Sequence, residues 1–427
     1  MRFLSRIDTL TRVQICAAIF VLAALARVLH LIVLVPAFEG YHWEMASELL
    51  RSGTIGDASG KQTEFDPLYP LFLAAARLLV GDNPFSVQLV QLFVDSAAGA
   101  GLVLLADILT GSRRTAAIAG VLYAGYPLLV RHAVVGDDTT LVSLLLIASV
   151  YAAVTAVTLP RAAAAGLLLG LATLARFAVA PVAVLMTAVL LRTRGVAAAV
   201  VCAVAAAGAI SPWLLRNHAS NGAIWPTRSG ENLLVGNSEY TDALLPEYEV
   251  DLLGDYQVEL VMRERPDLMA RGAEAGLDWY FTTRVWQHVR SHPADTARLA
   301  LLKVGYFFWP RLVPMRLRLD DTRVEFLEGG QIRVENSPPR PLVEELVYSV
   351  SYSLVAIAAL AGLWIRRRDI GRDAPLIAVA AGFTLVAAVY FPATRYRAAM
   401  EFALLFYAAV AMSAAAGRGH EALRPDR

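Results

Sequence analysis

Residues 210–237 read ISPWLLRNHASNGAIWPTRSGENLLVGN. The stretch begins as the end of an apolar helix and is expected to leave the bilayer through Pro212-Trp213. It then sets Arg216-Asn217 at the water boundary and enters a loop rich in Gly and Asn. Near the other end of the chain, Arg395-Tyr396-Arg397 and Glu401 are wedged between two apolar runs. Guanidinium groups at a membrane surface, beside glycines that expose backbone, suit an anionic group carried on a lipid.

Composition fits that reading. Of 427 residues, 57% are apolar, and the mean hydropathy is +0.52, too apolar for an ordinary soluble domain. The net charge of +1 gives no support for nucleic-acid binding. Charges fall almost entirely between the apolar runs. The only lysines are Lys61 and Lys303; the other basic residues are arginines, a bias that suggests a GC-rich bacterial genome. Cys16 and Cys202 lie inside apolar runs and fit no metal spacing, so they read as packing residues.

The pattern predicts an all-α polytopic membrane protein with about ten spans. They run over 13–36, 85–110, 115–130, 139–159, 162–174, 178–191, 197–215, 342–365, 374–391 and 398–415. Ten spans place Arg2, Arg6, Arg12, Arg113-Arg114, Arg161, Arg192, Arg194, Arg366-Arg367-Arg368 and Arg418 on one side. Arginine in short loops marks the cytoplasm, so both termini are expected inside a bacterial cytoplasmic membrane. Residues 162–191 read as two short spans turning at Arg176, because a single span would strand a basic end outside. Residues 67–80 and 299–309 are apolar but short, and read as interfacial. The expected units are a transmembrane module over 1–215 with a first outer loop at 37–82, an extracytoplasmic segment at 216–341, and C-terminal spans with a tail at 342–427.

The first outer loop carries Glu39, placed just after a span where low dielectric can raise a carboxyl pKa, as a general base requires. Asp137-Asp138 follows the third span. One of the two is expected to cap the next helix and the other to face the first loop. Glu64 and Asp66 precede Pro67-Leu68-Tyr69-Pro70 and could line a cleft; no metal is assigned to them. Arg216, Arg395 and Arg397 form the basic counterpart, a phosphate site if they converge and snorkelling anchors if they do not. Asp95, inside the second span, needs a partner, and Arg27 is the candidate.

Together these residues resemble the GT-C class of integral-membrane glycosyltransferases, nearest to the dolichyl-phosphate-mannose–protein mannosyltransferase superfamily and its bacterial aminoarabinose-transferase-like branch. The resemblance rests on Glu39 with His42 three positions later, and on Asp66-Pro67-Leu68-Tyr69-Pro70. It rests also on Trp213, Arg216-Asn217, Gly222, Pro226, Asn232-Leu233 and Gly236-Asn237, and on Arg395-Tyr396-Arg397 with Glu401. Two positions depart from the family pattern: Glu39 replaces the usual aspartate and His42 the usual tyrosine.

The resemblance implies inverting transfer of a hexose or pentose from a polyprenyl-phosphate donor to a lipid, glycan or protein acceptor at the outer face. Glu39, Asp137 and Asp138 would be catalytic. His42, Glu64, Asp66, Tyr69, Arg216, Asn217, Asn232, Asn237, Arg395, Arg397 and Glu401 would bind substrates, with no cofactor indicated. Two other classes remain open. One is a flippase or transporter of an anionic or polyprenyl-linked lipid, which would favour internal repeats and polar groups at the bilayer midplane. The other is an inactive membrane assembly partner, which the Glu39 departure keeps open.

Overall fold

The computed structural model describes residues 10–34, 38, 40–56, 66–270 and 273–421, with side chains to residue 416. The first span is α1 (Arg12–Leu34). The first outer loop contributes α2 (Tyr41–Ser52) and α3 (Leu68–Val80), followed by α4 (Pro84–Thr110), α5 (Arg113–Gly125) and α6 (Pro127–His132). Then come α7 (Thr139–Val154), α8 (Leu159–Ala175), a 3₁₀ turn at Phe177–Val179, α9 (Ala180–Arg194) and α10 (Val196–Asn221). Among the described residues, six helices are long and apolar enough to cross a membrane, and 68–80, 139–154, 159–175 and 401–416 are shorter apolar helices. The protein is an all-α, multi-pass membrane protein.

The third expected span is one apolar run but two helices. Pro127 lacks an N–H and restricts Tyr126, whose extended backbone (φ −76°, ψ 115°) separates α5 from α6. Arg176 likewise breaks 162–191, with extended backbone between α8 and the 3₁₀ turn. Pro212 behaves differently. The helix expected to end there continues through it to Asn221, where Gly222 in the left-handed region (φ 78°) caps it through an N–H bond to His218 O. Arg216 and Asn217 therefore sit on a rigid helix, not on a loop.

The spans pack closely through small residues. A Cβ at Gly166 would lie 2.0 Å from Cys202 O, and one at Gly170 would lie 2.7 Å from Ala206 O, so α8 and α10 meet backbone to backbone. Cys202 is buried at that contact, a packing role. The ion pair expected inside the second span is present. Arg27 pairs with Asp95, donates to Ala124 O at 2.8 Å, and Asp95 accepts from the Tyr123 hydroxyl at 2.9 Å. A buried pair needs such extra hydrogen bonds to offset its desolvation.

Beyond α10 the chain forms α11 (Arg228–Asn237), α12 (Thr241–Leu244), α13 (Gly254–Glu264), α14 (Glu274–Ser291) and α15 (Pro293–Phe307). A two-stranded antiparallel hairpin follows, β1 (Arg323–Leu327) with β2 (Gln331–Glu335), pairing Phe326 with Ile332. Its Phe326 packs edge-on to Tyr240 at 5.0 Å, anchoring the hairpin on α11–α13. The chain ends with α16 (Leu342–Ile365), α17 (Ile370–Val389), α18 (Thr394–Ala398) and α19 (Glu401–Glu421), with α16 packed along α19.

Both ends of the bundle are recognisable along α4, which is about 40 Å long. At its C-terminal end the short-loop arginines gather. Arg12 pairs with Asp107, Arg113 donates to Leu10 O, and Arg366 pairs with Asp373 while reaching Leu109 O. At its N-terminal end, Gln88 and Gln91 hold the loop that carries Asp137 and Asp138.

Candidate active site

At that second end, three loops converge on an acidic cluster. Gln88 Nε2 donates to Val134 O (2.8 Å) and Gln91 Nε2 to Val135 O (2.6 Å), fixing the turn between α6 and α7. Tyr69, the tyrosine of the Pro-Leu-Tyr-Pro element, donates its hydroxyl to Gln91 Oε1 (2.5 Å) and so ties the first outer loop to the same glutamine. Gly136 lets that turn touch the first loop directly, because a Cβ there would lie 2.2 Å from Phe38 O. Any side chain at 136 would push away the backbone that leads into Glu39.

The two aspartates have different surroundings. Asp137 Oδ2 meets His132 Nδ1 at 2.5 Å, and Oδ1 accepts the Thr139 N–H at 2.9 Å. Burial pushes its carboxyl up, but His132, Arg176 and that amide outweigh it and hold the pKa at about 2. Asp138 is buried and clamped by both arms of Arg176, with Nε at 2.9 Å from Oδ2, and Arg176 also reaches Thr139 Oγ1 at 2.9 Å. Asp137, by accepting the Thr139 N–H, caps the start of α7 as expected of one of the pair, while both oxygens of Asp138 are engaged by Arg176.

Asp66 stands differently. Its Oδ2 accepts the Phe177 N–H at 3.1 Å, and among the described residues no arginine pairs with it. Burial, reinforced by Asp138, drives its pKa up to about 7 against the pull of the Phe177 amide, Arg176 and Arg228. A carboxylate near 7 is matched to proton transfer at neutral pH. His42 lies edge-on to Tyr69 at 5.0 Å. Burial lowers its pKa, as do Arg176 and Arg228, while Asp138 and Asp137 oppose the shift. Its Nδ1 is buried without a hydrogen-bond partner among the described residues. Glu39 and Glu64 lie outside the described residues. Among the described residues, no group of three or more His, Cys, Asp or Glu is arranged to hold a metal ion.

The end of α10 forms a second feature. Trp213, Arg216 and Asn217 share one face at helical spacing. Arg216 stacks on the Trp213 ring at 4.5 Å and donates to Ile55 O (3.2 Å) and to Asn217 Oδ1 (3.2 Å). Trp213 Nε1 and Asn217 Nδ2 are buried donors without partners among the described residues. Unmade buried donors are costly, so this cradle suits a ligand with several acceptor oxygens. Trp213 packs near Ile55 and near Met45, which lies on the α2 helix whose first turn carries His42.

Other expected binding residues are engaged within the protein itself. Asn237 Nδ2 donates to Leu233 O and Val389 O, both at 2.8 Å, while its Oδ1 accepts from Lys303 Nζ at 3.1 Å. Lys303 is fully buried and also donates to Gly236 O and Tyr390 O, each at 3.0 Å. Gly236 abuts Tyr390 O, which a Cβ would approach to 1.9 Å. The Gly236-Asn237 pair is a clamp between α11, α15 and the end of α17, and Asn232 sits half-buried on the same α11.

Arg397 is buried and fully engaged, by Glu401 (2.6 Å), Phe307 O (3.0 Å), Trp309 O (2.7 Å) and the Tyr352 ring (3.7 Å). It braces α18. Arg395, half exposed, approaches Asp251 at 3.9 Å. The residue overlooked in the sequence is Arg176, which carries the acid cluster. A lone arginine between two short apolar runs was its only signal.

Residues 64–215 match the family of dolichyl-phosphate-mannose-protein mannosyltransferases. No curated protein sequence matches the chain. Among solved structures, the fold is similar to the archaeal oligosaccharyltransferase AglB from Archaeoglobus fulgidus in complex with an inhibitory peptide and a dolichol-phosphate. Identity is 15%, over 96% of this chain and 52% of that one, with a TM-score of 0.50. The Archaeoglobus fulgidus oligosaccharyltransferase tethered with an acceptor peptide gives 13% identity over 95% and 50%, with a TM-score of 0.52. ArnT from Cupriavidus metallidurans bound to undecaprenyl phosphate gives 14% identity over 95% and 79%, with a TM-score of 0.41. The chain spans about half the length of the oligosaccharyltransferase chains it matches, and at these identities the likeness is one of fold. Residues 64–215 thus resemble that mannosyltransferase family in sequence, and the chain as a whole shares the fold of these integral-membrane proteins.

Proposed function

We propose that the protein transfers one sugar, a hexose or pentose, from a polyprenyl-phosphate carrier to an acceptor at the outer face of a bacterial cytoplasmic membrane. The observation that carries this reading is the acid cluster next to His42 at the start of α2, with the donor-rich α10 cradle packed near Met45 of the same helix. In the reaction, an acceptor hydroxyl attacks the anomeric carbon from the face opposite the phosphate. The new glycosidic bond forms as the bond to phosphate oxygen breaks, which inverts the anomeric centre. A carboxylate takes the hydroxyl proton and the polyprenyl phosphate leaves as the anion.

Glu39 is the base that the resemblance names, and Phe38 packed on Gly136 leads directly into it. Asp66 and His42 would orient the acceptor. Asp137, Asp138 and Arg176 would keep the cluster in shape. Trp213, Arg216 and Asn217 would hold the carrier phosphate as it gains charge. The acceptor is a glycolipid, a polysaccharide or a protein.

Arg216→Lys tests this reading. Lysine keeps the charge but loses the planar fork that stacks on Trp213 and bonds in two directions. We expect release of radiolabelled sugar from its polyprenyl phosphate, measured in detergent, to fall about tenfold or more, with melting temperature close to the parent. Undiminished release by Arg216→Lys would favour simple snorkelling, and no release by the parent would favour a lipid transporter.

Orientation follows the arginines. With the basic end of the bundle inside, both termini are cytoplasmic and 216–341 lies outside. A cysteine placed at Asp255 or Ser59 should therefore react with an impermeant maleimide in intact cells. Labelling of either only after the inner face is opened would invert the assignment.

A further inference from the structure

A cavity of about 160 Å³ adjoins the acid cluster through His132, and its lining includes none of Trp213, Arg216 and Asn217. Three arginines from segments far apart in sequence line it: Arg131 at the end of α6, Arg340 just before α16, and Arg395 on α18. Glu249 is the one carboxylate in its lining. Behind the lining, Arg131 and Arg340 both turn to the same oxygen, Glu344 Oε1, with Arg340 at 3.3 Å. Asp251 stands 3.9 Å from Arg395, at the limit of an ion pair. Two guanidiniums sharing one carboxylate oxygen repel each other, and Arg340 registers it: burial and the charge of Arg131 lower its pKa while Glu344 and Glu249 oppose. One carboxylate shared by two guanidiniums leaves positive charge beside the cavity, which favours an anion there.

Two walls connect the cavity to the reacting groups. His132 lines it and places Nδ1 on Asp137. The carbonyl of Arg395 accepts from Arg176 at 3.4 Å, the same arginine that clamps Asp138. A group held here lies one side chain away from Asp137 and Asp138.

We propose that this cavity is a second oxyanion site, which holds a phosphate or carboxylate carried by the acceptor and so makes the enzyme selective for acidic acceptors. The inference rests on the glycosyl-transfer reading and supplies its acceptor class. The volume admits a phosphate or a carboxylate-bearing sugar, and the apolar remainder of the lining, including Leu128, Leu312 and Phe391, would exclude water around it.

The test uses the purified full chain in detergent with three probes: a hexose 1-phosphate, glucuronate and undecaprenyl phosphate. Arg340→Gln and Arg395→Gln should weaken binding of at least one soluble oxyanion about tenfold or more and change undecaprenyl phosphate binding less than about twofold. Arg216→Gln should do the reverse. The preferred soluble probe would tell phosphate from carboxylate. Arg395 is half exposed, so its variant keeps the test usable if Arg340→Gln, which also loses the bond to Pro314 O, fails to fold. Soluble oxyanions that bind both cavity variants as well as the parent, or that do not bind the parent, would overturn the proposal. Loss of undecaprenyl phosphate from the cavity variants would also overturn it, because the cavity would then be the carrier site. If Arg216→Gln leaves undecaprenyl phosphate binding intact while the cavity variants lose the soluble probe, the cradle assignment falls and the second site stands.

Discussion

Glu39→Gln is expected to lower sugar transfer on the order of a hundredfold or more, because an amide cannot take the acceptor proton. Glu39→Asp should keep part of the activity, since a carboxylate remains, set back by one methylene. Undecaprenyl phosphate should bind both variants as it binds the parent. The surroundings of the aspartates decide where to look if Glu39→Gln stays active. Asp137, held at about 2, is a poor base, and both oxygens of Asp138 are engaged by Arg176. Asp66, raised to about 7 by burial, is the alternative. If Asp66 must be ionised, its raised pKa means that activity grows as pH rises through about 7, and Asp66→Asn would abolish that limb. A parent profile flat from pH 6 to 8, with Glu39→Gln fully active, would remove both carboxylates from the mechanism.

Lys303→Met is expected to be the most destabilising single change outside the spans. The ammonium is fully buried and satisfies Gly236 O, Tyr390 O and Asn237 Oδ1 together. Methionine fills much the same volume but leaves those oxygens unpaired, at a cost of about 3 kcal/mol or more. A thermal melt in detergent should show a large fall in melting temperature. Asn237→Ala should show a smaller one, with undecaprenyl phosphate binding by the folded fraction unchanged in both. If Asn237→Ala lost binding while melting like the parent, Asn237 would return to the substrate site.

The fold was largely legible in the sequence because bilayer physics writes it there. Long apolar runs and the arginines between them mark the spans, and Asp95 inside a span announced its partner Arg27. The break at Arg176 followed from the same charge logic. Helix ends were less legible, since Pro212 reads as an exit but sits inside a helix that Gly222 terminates six residues after Leu215.

The candidate site was legible in its membership and not in its roles. Residue type and order brought His42, Asp66, Tyr69, Asp137 and Asp138 forward, and the described structure gathers them at one end of the bundle. Their division of labour depends on partners distant in sequence. Arg176 lies 38 residues from Asp138, and Gln91 lies 22 from Tyr69. A carboxylate, an arginine or an asparagine has the same letter whether it meets a substrate or a neighbouring helix. Arg397 and Asn237 were indistinguishable from ligands until packing showed their donors already spent. The sequence by itself determined the membrane architecture and the chemistry available at one of its faces, because hydropathy and charge act locally along the chain. Only the tertiary structure decided which groups stay open to a ligand, because that depends on hydrogen bonds made across the bundle.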